Sequence, residues 1–187
     1  PNSTQIISLL ADFYAMYLPN TGKYLEYALK GSRLDAGSGD SVSVSNFYLQ
    51  LGNALAQTGF IDNSLEYIDK SLEFNSNNPF ARHLRAFVVY AKNKDLHQTK
   101  QLLLTEFSKD TTRLDILQDI AKVSFYLKEY DSAYRYYQRF NYLRELYKLD
   151  IYRHENLNIG IVYEKAGNIK KAKEFIDNYR QYVETDQ

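Results

Sequence analysis

The chain has 187 residues, 44% of them hydrophobic, with 23 Lys and Arg balanced by 23 Asp and Glu and no cysteine. Enough apolar surface is present to build a packed core, and zero net charge leaves no whole-chain field to draw nucleic acid or an acidic membrane surface. Without cysteine there are no disulfides, thiol nucleophiles or thiolate metal sites, and the redox compartment stays open, with the cytoplasm as the default expectation.

The sequence opens Pro1-Asn2-Ser3 without an initiator Met and ends Glu184-Thr185-Asp186-Gln187 just after a helical pattern, so it is expected to be a fragment of a larger protein. Any signal or anchor segment would lie outside it. Asn2-Ser3-Thr4 fits the glycosylation pattern, but a three-residue match is read as chance. Apolar stretches such as Ala86 to Ala91 fall far short of the roughly 20 residues that span a bilayer, and no membrane insertion is expected.

Three Pro, eight Gly and apolar residues at helical spacing argue for an all-helical chain; Asn46 to Leu51 and Phe87 to Ala91 are the only strand-like stretches. In chain order, helices are expected at 3–18, 22–34, 46–58, 62–74, 80–92, 95–108, 112–127, 131–147, 152–166 and 169–184. The small and polar run Asp35 to Ser41 breaks the pattern and is read as a loop joining repeats within one domain.

Self-comparison carries the strongest signal. Leu51-Gly52 followed by Leu55, Gly59, Ser64, Ile68 and Ser71 is mirrored at identical offsets by Ile159-Gly160, Tyr163, Gly167, Ala172, Ile176 and Tyr179. Arg85-Ala86 with Val89, Asn93, Gln98, Leu102 and Thr105, and Ile120-Ala121 with Ser124, Lys128, Ala133, Tyr137 and Phe140, fill the same frame. The small residue opening each frame falls at 52, 86, 121 and 160, so the spacings are 34, 35 and 39.

This pattern resembles the tetratricopeptide repeat family, a 34-residue helix-turn-helix with small and aromatic residues at fixed offsets. A degenerate copy precedes it in Leu10-Ala11, Tyr14, Tyr24, Ala28 and Gly31. The resemblance implies a right-handed α-solenoid of antiparallel helix pairs, with five repeats near 3–35, 45–78, 79–112, 114–147 and 153–186. Small residues let paired backbones approach, and large apolar ones fill the flanks. Gln98 departs from the pattern where a small residue is expected, Ser76 and Asp110 replace the terminal Pro, and extra residues at 147–151 are expected to lengthen the second helix of the fourth pair.

Residues at the second, fifth, ninth and twelfth places of such repeats usually face a concave groove. Here they are Asn46, Leu49, Asn53 and Ala56; Phe80, His83, Phe87 and Tyr90; Asp115, Gln118, Lys122 and Phe125; and His154, Leu157, Ile161 and Glu164. The groove would suit an extended peptide or a helix; equally, Phe80, Phe87 and Phe125 would simply pack within the array. The family's clamp for a C-terminal carboxylate is matched only at Asn53, while Leu49 and Leu84 occupy its polar places, so chaperone-tail binding is not expected.

Catalytic residues are not expected. His83, His97 and His154 fall in three different pairs without metal-ligand spacing, so neither a metal nor a cofactor is implied. Asp115 and Asp119 share a helix face with Lys122 close enough to offset them, and Gly37-Ser38-Gly39 lacks the Lys and the strand of a phosphate loop. Eight Tyr between Tyr126 and Tyr152, interleaved with Arg135, Arg139, Arg144 and Arg153, could stack bases, yet no base-reading code recurs and acidic neighbours cancel the charge. No nucleic-acid partner is expected; Tyr130, Tyr134 and Tyr137 are read as packing residues with hydroxyls at the wet rim.

The functional expectation is a protein-interaction scaffold binding a peptide or protein in the concave groove, and not an enzyme. The alternative is a regulatory or sensory segment of a larger bacterial transcription or signalling protein, for example one with a DNA-binding or cyclase-like domain. The last helix, with Ile169, Ala172, Phe175, Ile176, Tyr179 and Val183 on one face, would cap the stack, receive another repeat or pair two chains through exposed terminal helices.

Overall fold

Ten α-helices and no strand occur among the described residues, 3–35 and 40–185, of a computed structural model of the chain. Asn2 of the sequon, Gly37-Ser38-Gly39 and the last two residues lie outside them. The chain divides into two compact units, residues 1–95 and 96–187.

Unit 1 holds α1 (Thr4–Asp12), a π-helical turn (Phe13–Tyr17), α2 (Thr21–Asp35), α3 (Ser41–Gln57), α4 (Ile61–Phe74) and α5 (Pro79–Asn93), each packing on the next in sequence. The helix expected over 3–18 therefore changes hydrogen-bond pattern at Phe13, whose carbonyl accepts from the Leu18 N–H five residues on, at 3.0 Å. The α3 helix starts earlier than its apolar pattern suggests, because Asp40 caps it, accepting from the Val42 N–H at 3.1 Å and the Ser43 hydroxyl at 2.5 Å. Asn78 caps α5 in the same manner, with Pro79 pre-set for the first helical position.

The glycine at the centre of the repeat frame is explained by the α3–α4 crossing. A Cβ on Gly52 would lie 2.7 Å from Ile68 Cγ1 and 3.3 Å from the Ser64 carbonyl oxygen, so the backbone meets α4 where any side chain would stand. Ser64 donates its hydroxyl to the Gly52 carbonyl at 2.6 Å. Deeper in the same interface Ser71 donates to the Ser45 carbonyl at 2.7 Å, and Asn78 Nδ2 donates to Ser45 Oγ at 3.0 Å. All four polar side chains are buried, and these bonds meet the requirement that buried polar groups find partners. Ile68, fully buried beside Ala81 and Val88, adds about 2 kcal/mol of apolar burial.

Unit 2 holds α6 (Leu96–Phe107), α7 (Leu114–Tyr126), α8 (Tyr130–Leu146), a 3₁₀ segment (Asp150–Glu155), α9 (Asn156–Lys165) and α10 (Ile169–Thr185), again packed in chain order. Gly160 repeats the environment of Gly52: its Cβ would stand 2.8 Å from Ile176 Cγ1 and 3.2 Å from the Ala172 carbonyl. Ala121 and Ala133 form the equivalent contact of α7 with α8 and are both fully buried. The extra residues after Leu146 divide their effect. The α8 helix is lengthened to 17 residues, and the stretch expected to begin the next α-helix at 152 winds as a 3₁₀ segment up to Glu155.

The turn between the paired helices recurs with the repeat. Gly59, Lys94, Lys128 and Gly167 all have positive φ, between 60° and 85°, just past a helix end. After Gly59, Lys128 and Gly167 the next N–H reaches back five residues, as in Phe60 to the Leu55 carbonyl at 2.9 Å, Glu129 to Ser124 at 3.0 Å and Asn168 to Tyr163 at 2.8 Å. Lys94 closes the other way, donating to the Tyr90 carbonyl at 2.8 Å. That turn stands eight residues after Ala86 rather than seven after Gly52, Ala121 and Gly160, which moves the following register by one. Thr99 and Leu103 are buried accordingly, while Gln98, the expected small-residue position, is exposed.

Candidate functional site

In unit 1 the expected groove positions lie on α3 and α5, which touch each other. Asn46 is exposed and its side-chain oxygen accepts from Asn78 Nδ2 at 3.2 Å, so the cap of α5 also sets this side chain. Leu49 and Ala56 are half-buried against Ile68, Ala81 and Val88, which commits much of their apolar surface to the core. Asn53 is half-buried with its amide 3.5 Å from the Tyr24 hydroxyl. On α5, Phe80 is 63% exposed and Phe87 36% exposed. His83 and Phe87 rings lie 5.3 Å apart, and Tyr90 is half-buried.

In unit 2 the expected positions form a polar cluster around a residue that sequence reasoning did not select. Glu155, 1% exposed, receives Lys122 Nζ at 2.7 Å, the Tyr137 hydroxyl at 3.3 Å and Asn158 Nδ2 at 3.3 Å. His154 Nε2 lies 3.3 Å from Oε1, the oxygen that Lys122 engages. Burial alone would push the Glu155 carboxyl up; the Lys122 ammonium and the amides of Asn158 and Gln118 outweigh it and hold the group below the ordinary carboxylate value. Gln118 and Lys122 of α7 are thereby tied to the start of α9, beside His154. Asp115 is engaged by Arg113, the residue that precedes α7, at 2.8 and 2.5 Å, while the Lys122 ammonium meets Glu155.

The remaining unit 2 positions are more ordinary. Phe125 is half-buried and edge-on to Tyr126 and Tyr130, each at 5.9 Å, while Leu157 and Ile161 are half-buried and Glu164 is exposed. Tyr137 departs from expectation: it is fully buried and its hydroxyl meets a carboxylate rather than water. Burial and the adjacent Glu155 charge push its phenol far above the usual range. Tyr134 packs edge-on against Tyr163 at 4.7 Å, as a packing residue should.

A signal for Glu155 does exist in the repeat frame. It stands five residues before Gly160, where the other frames place Phe47, Ala81 and Ile116, all of them buried. A carboxylate in a core register demands a cation and donors. Tyr137, standing where the glycine-centred frames have Ile68 and Ile176, supplies one of those donors.

Among the described residues no group of three or more His, Asp or Glu side chains is arranged to hold a metal, and no helix is long and apolar enough to cross a membrane.

These paired helices, with small residues at the α3–α4, α7–α8 and α9–α10 crossings and left-handed residues at Gly59, Lys128 and Gly167 in the turns between them, define a helix-turn-helix repeat fold. Residues 45–78 match the family model of the tetratricopeptide repeat, and the fold is of the tetratricopeptide type. Similar solved structures agree on the fold over nearly the whole length. BtubC (BKLC) from P. vanneervenii is 15% identical with a TM-score of 0.79, over 97% of this chain and 80% of that one. A Podosopora anserina structure of nearly identical TPR-like repeats is 14% identical with a TM-score of 0.72, over 97% and 94%. MamA from Desulfovibrio magneticus RS-1 is 14% identical with a TM-score of 0.70, over 97% and 96%. Comparison with curated proteins finds no match.

Proposed function

We propose that the chain is a protein-interaction scaffold and that the aromatic face of α5 in unit 1, flanked by the polar side chains of α3, takes an apolar segment of a protein partner. The observation that carries this reading is the exposure of Phe80 and Phe87 on a helix whose other side, at Ala81, Ala86 and Val88, is fully or almost fully buried. Large aromatics at a surface are characteristic anchors, and Asn46 and Asn53 beside them offer hydrogen bonds to an extended backbone. Gln118, Lys122 and His154 of unit 2 belong to the polar cluster around Glu155 and are not assigned to this face. Self-association is a second use of exposed apolar surface: Leu9, Met16 and Tyr17 of the first helical stretch are each more than two-thirds exposed.

The test is selection of binding peptides against the whole chain from a random library, followed by affinity measurement with Phe80→Ala and Phe87→Ala. Losing one anchor aromatic is expected to weaken capture roughly tenfold, with an unchanged melting temperature. Full affinity in both folded variants would remove this face from the account.

A further inference from the structure

We propose that the outer face of α1 and of the π-helical turn after it pairs with the same face of a second copy, making a two-fold symmetric dimer. The inner side of this stretch is committed to unit 1. Ile7 and Ala11 are fully buried, and the Tyr14 ring stacks on Tyr27 of α2 at 5.6 Å. The outer side carries Ile6, Leu9, Phe13, Met16 and Tyr17, each between 43% and 78% exposed. The first four recur at three- and four-residue spacing and so share one face. Tyr17 joins them by stacking its ring on Phe13, with centroids 6.2 Å apart.

Area points to a protein surface as the occupant. At about 200 Å² for a large apolar side chain, these five present roughly 600 Å² to solvent. That is the top of the range for the largest apolar patch on an ordinary monomer, about 300 to 600 Å². Two copies laid face to face would bury roughly 1,200 Å², where specific and stable interfaces begin.

Charge selects a second copy. From Ser3 to Thr21 the only charged residue is Asp12, whose carboxylate accepts from Gln50 Nε2 of α3 at 3.1 Å. The stretch has no Lys or Arg with which to hold an acidic membrane surface or a nucleic acid. A two-fold interface lays a patch on itself, so any charge in it would meet its own sign; this apolar row has none to meet. Its side chains also form ridges that fit the grooves of an identical helix.

The inference rests on the self-association read above from Leu9, Met16 and Tyr17, and commits it to one face and one stoichiometry. The aromatic face of α5 lies on a helix that packs against α3 and α4, so pairing through α1 leaves it open. The dimer would present two such faces and hold a partner with two apolar segments more tightly than either face alone.

The experiment is sedimentation equilibrium of the whole chain from about 1 to 100 μM, where a monomer–dimer equilibrium with dimer predominant at the upper end is expected. Since no charge enters the contact, the dissociation constant should change less than about twofold on raising salt to roughly 0.5 M. Leu9→Lys with Met16→Lys, which sets like charges against each other, should weaken the dimer at least about 100-fold at unchanged helicity. Met16→Ser, a single change at an exposed site, should weaken it severalfold even if the double variant misfolds. Phe80→Ala should dimerise like the parent. A chain still monomeric at about 100 μM would remove self-association altogether. Folded variants that dimerise like the parent would leave self-association standing and take it away from this face, as would dissociation by Phe80→Ala. Growth beyond a dimer, or loss of the dimer in salt, would overturn the symmetric apolar contact.

Discussion

The α3–α4 pair of unit 1 and the α7–α8 pair of unit 2 make the same helix crossing by different chemistry. At the first, Gly52 lets the backbones meet, Ile68 fills the space and hydroxyls of Ser45, Ser64 and Ser71 close the polar groups locally. At the second, Ala121 and Ala133 make the close approach, and Tyr137 occupies the isoleucine position. The hydroxyl that Tyr137 brings into the interior is satisfied by Glu155 of the next repeat, which in turn needs Lys122. The glycine crossing is limited by space alone. The alanine crossing is coupled to charge, and through it to the neighbouring repeat.

The sharpest way to break the comparison is size. Gly52→Leu is expected to cost about 3 kcal/mol, because its Cβ already collides with Ile68 and backbone stands behind it, and Gly160→Leu should cost a similar amount. Ala121→Gly, which removes a buried methyl without a clash, should cost markedly less. Urea unfolding of the three variants orders them, and equal losses would dissolve the distinction between the crossings.

Charge should divide the two pairs next. Glu155→Gln is expected to cost roughly 2 kcal/mol at neutral pH, a figure below that for a fully buried pair because Lys122 remains 31% exposed. The folded carboxyl is held below its ordinary value of 4.5, so its stabilisation is complete above that value and is lost as pH falls through the lower folded one. The gap between parent and variant should therefore close in acid, while the Gly52→Leu gap persists. A pH-independent gap would show that Glu155 acts through packing.

The smallest effect belongs to the turns. Lys128 and Gly167 occupy equivalent left-handed positions, yet only glycine does so without strain. Lys128→Gly is expected to raise stability by about 0.5 to 1 kcal/mol, and Gly167→Ala to lower it by about the same, in paired thermal melts.

Much of this was legible in the residues. The identical offsets of the Gly52 and Gly160 frames correspond to two crossings with nearly the same contact distances, because a backbone approach leaves no alternative to a missing side chain. The frame failed at Gln98, since the Lys94 turn adds one residue and a periodic pattern cannot register a slip inside a polar linker. Charge at a core register was visible at Glu155, but its meaning depended on Tyr137 and Lys122, which lie 18 and 33 residues away in sequence. Among the expected groove positions, Asn53 and Phe87 share the ninth place of their repeats, yet one is half-buried and the other exposed, which no spacing predicts.

By itself, the sequence determined the all-helical class, the repeat length, the helix pairing and the points of close approach, since each follows from local periodicity and from which positions tolerate a side chain. Tertiary structure decided which polar residues became buried partners and which aromatics stayed in solvent. Those outcomes depend on distances between segments far apart in the chain, and a helical period carries no information about them.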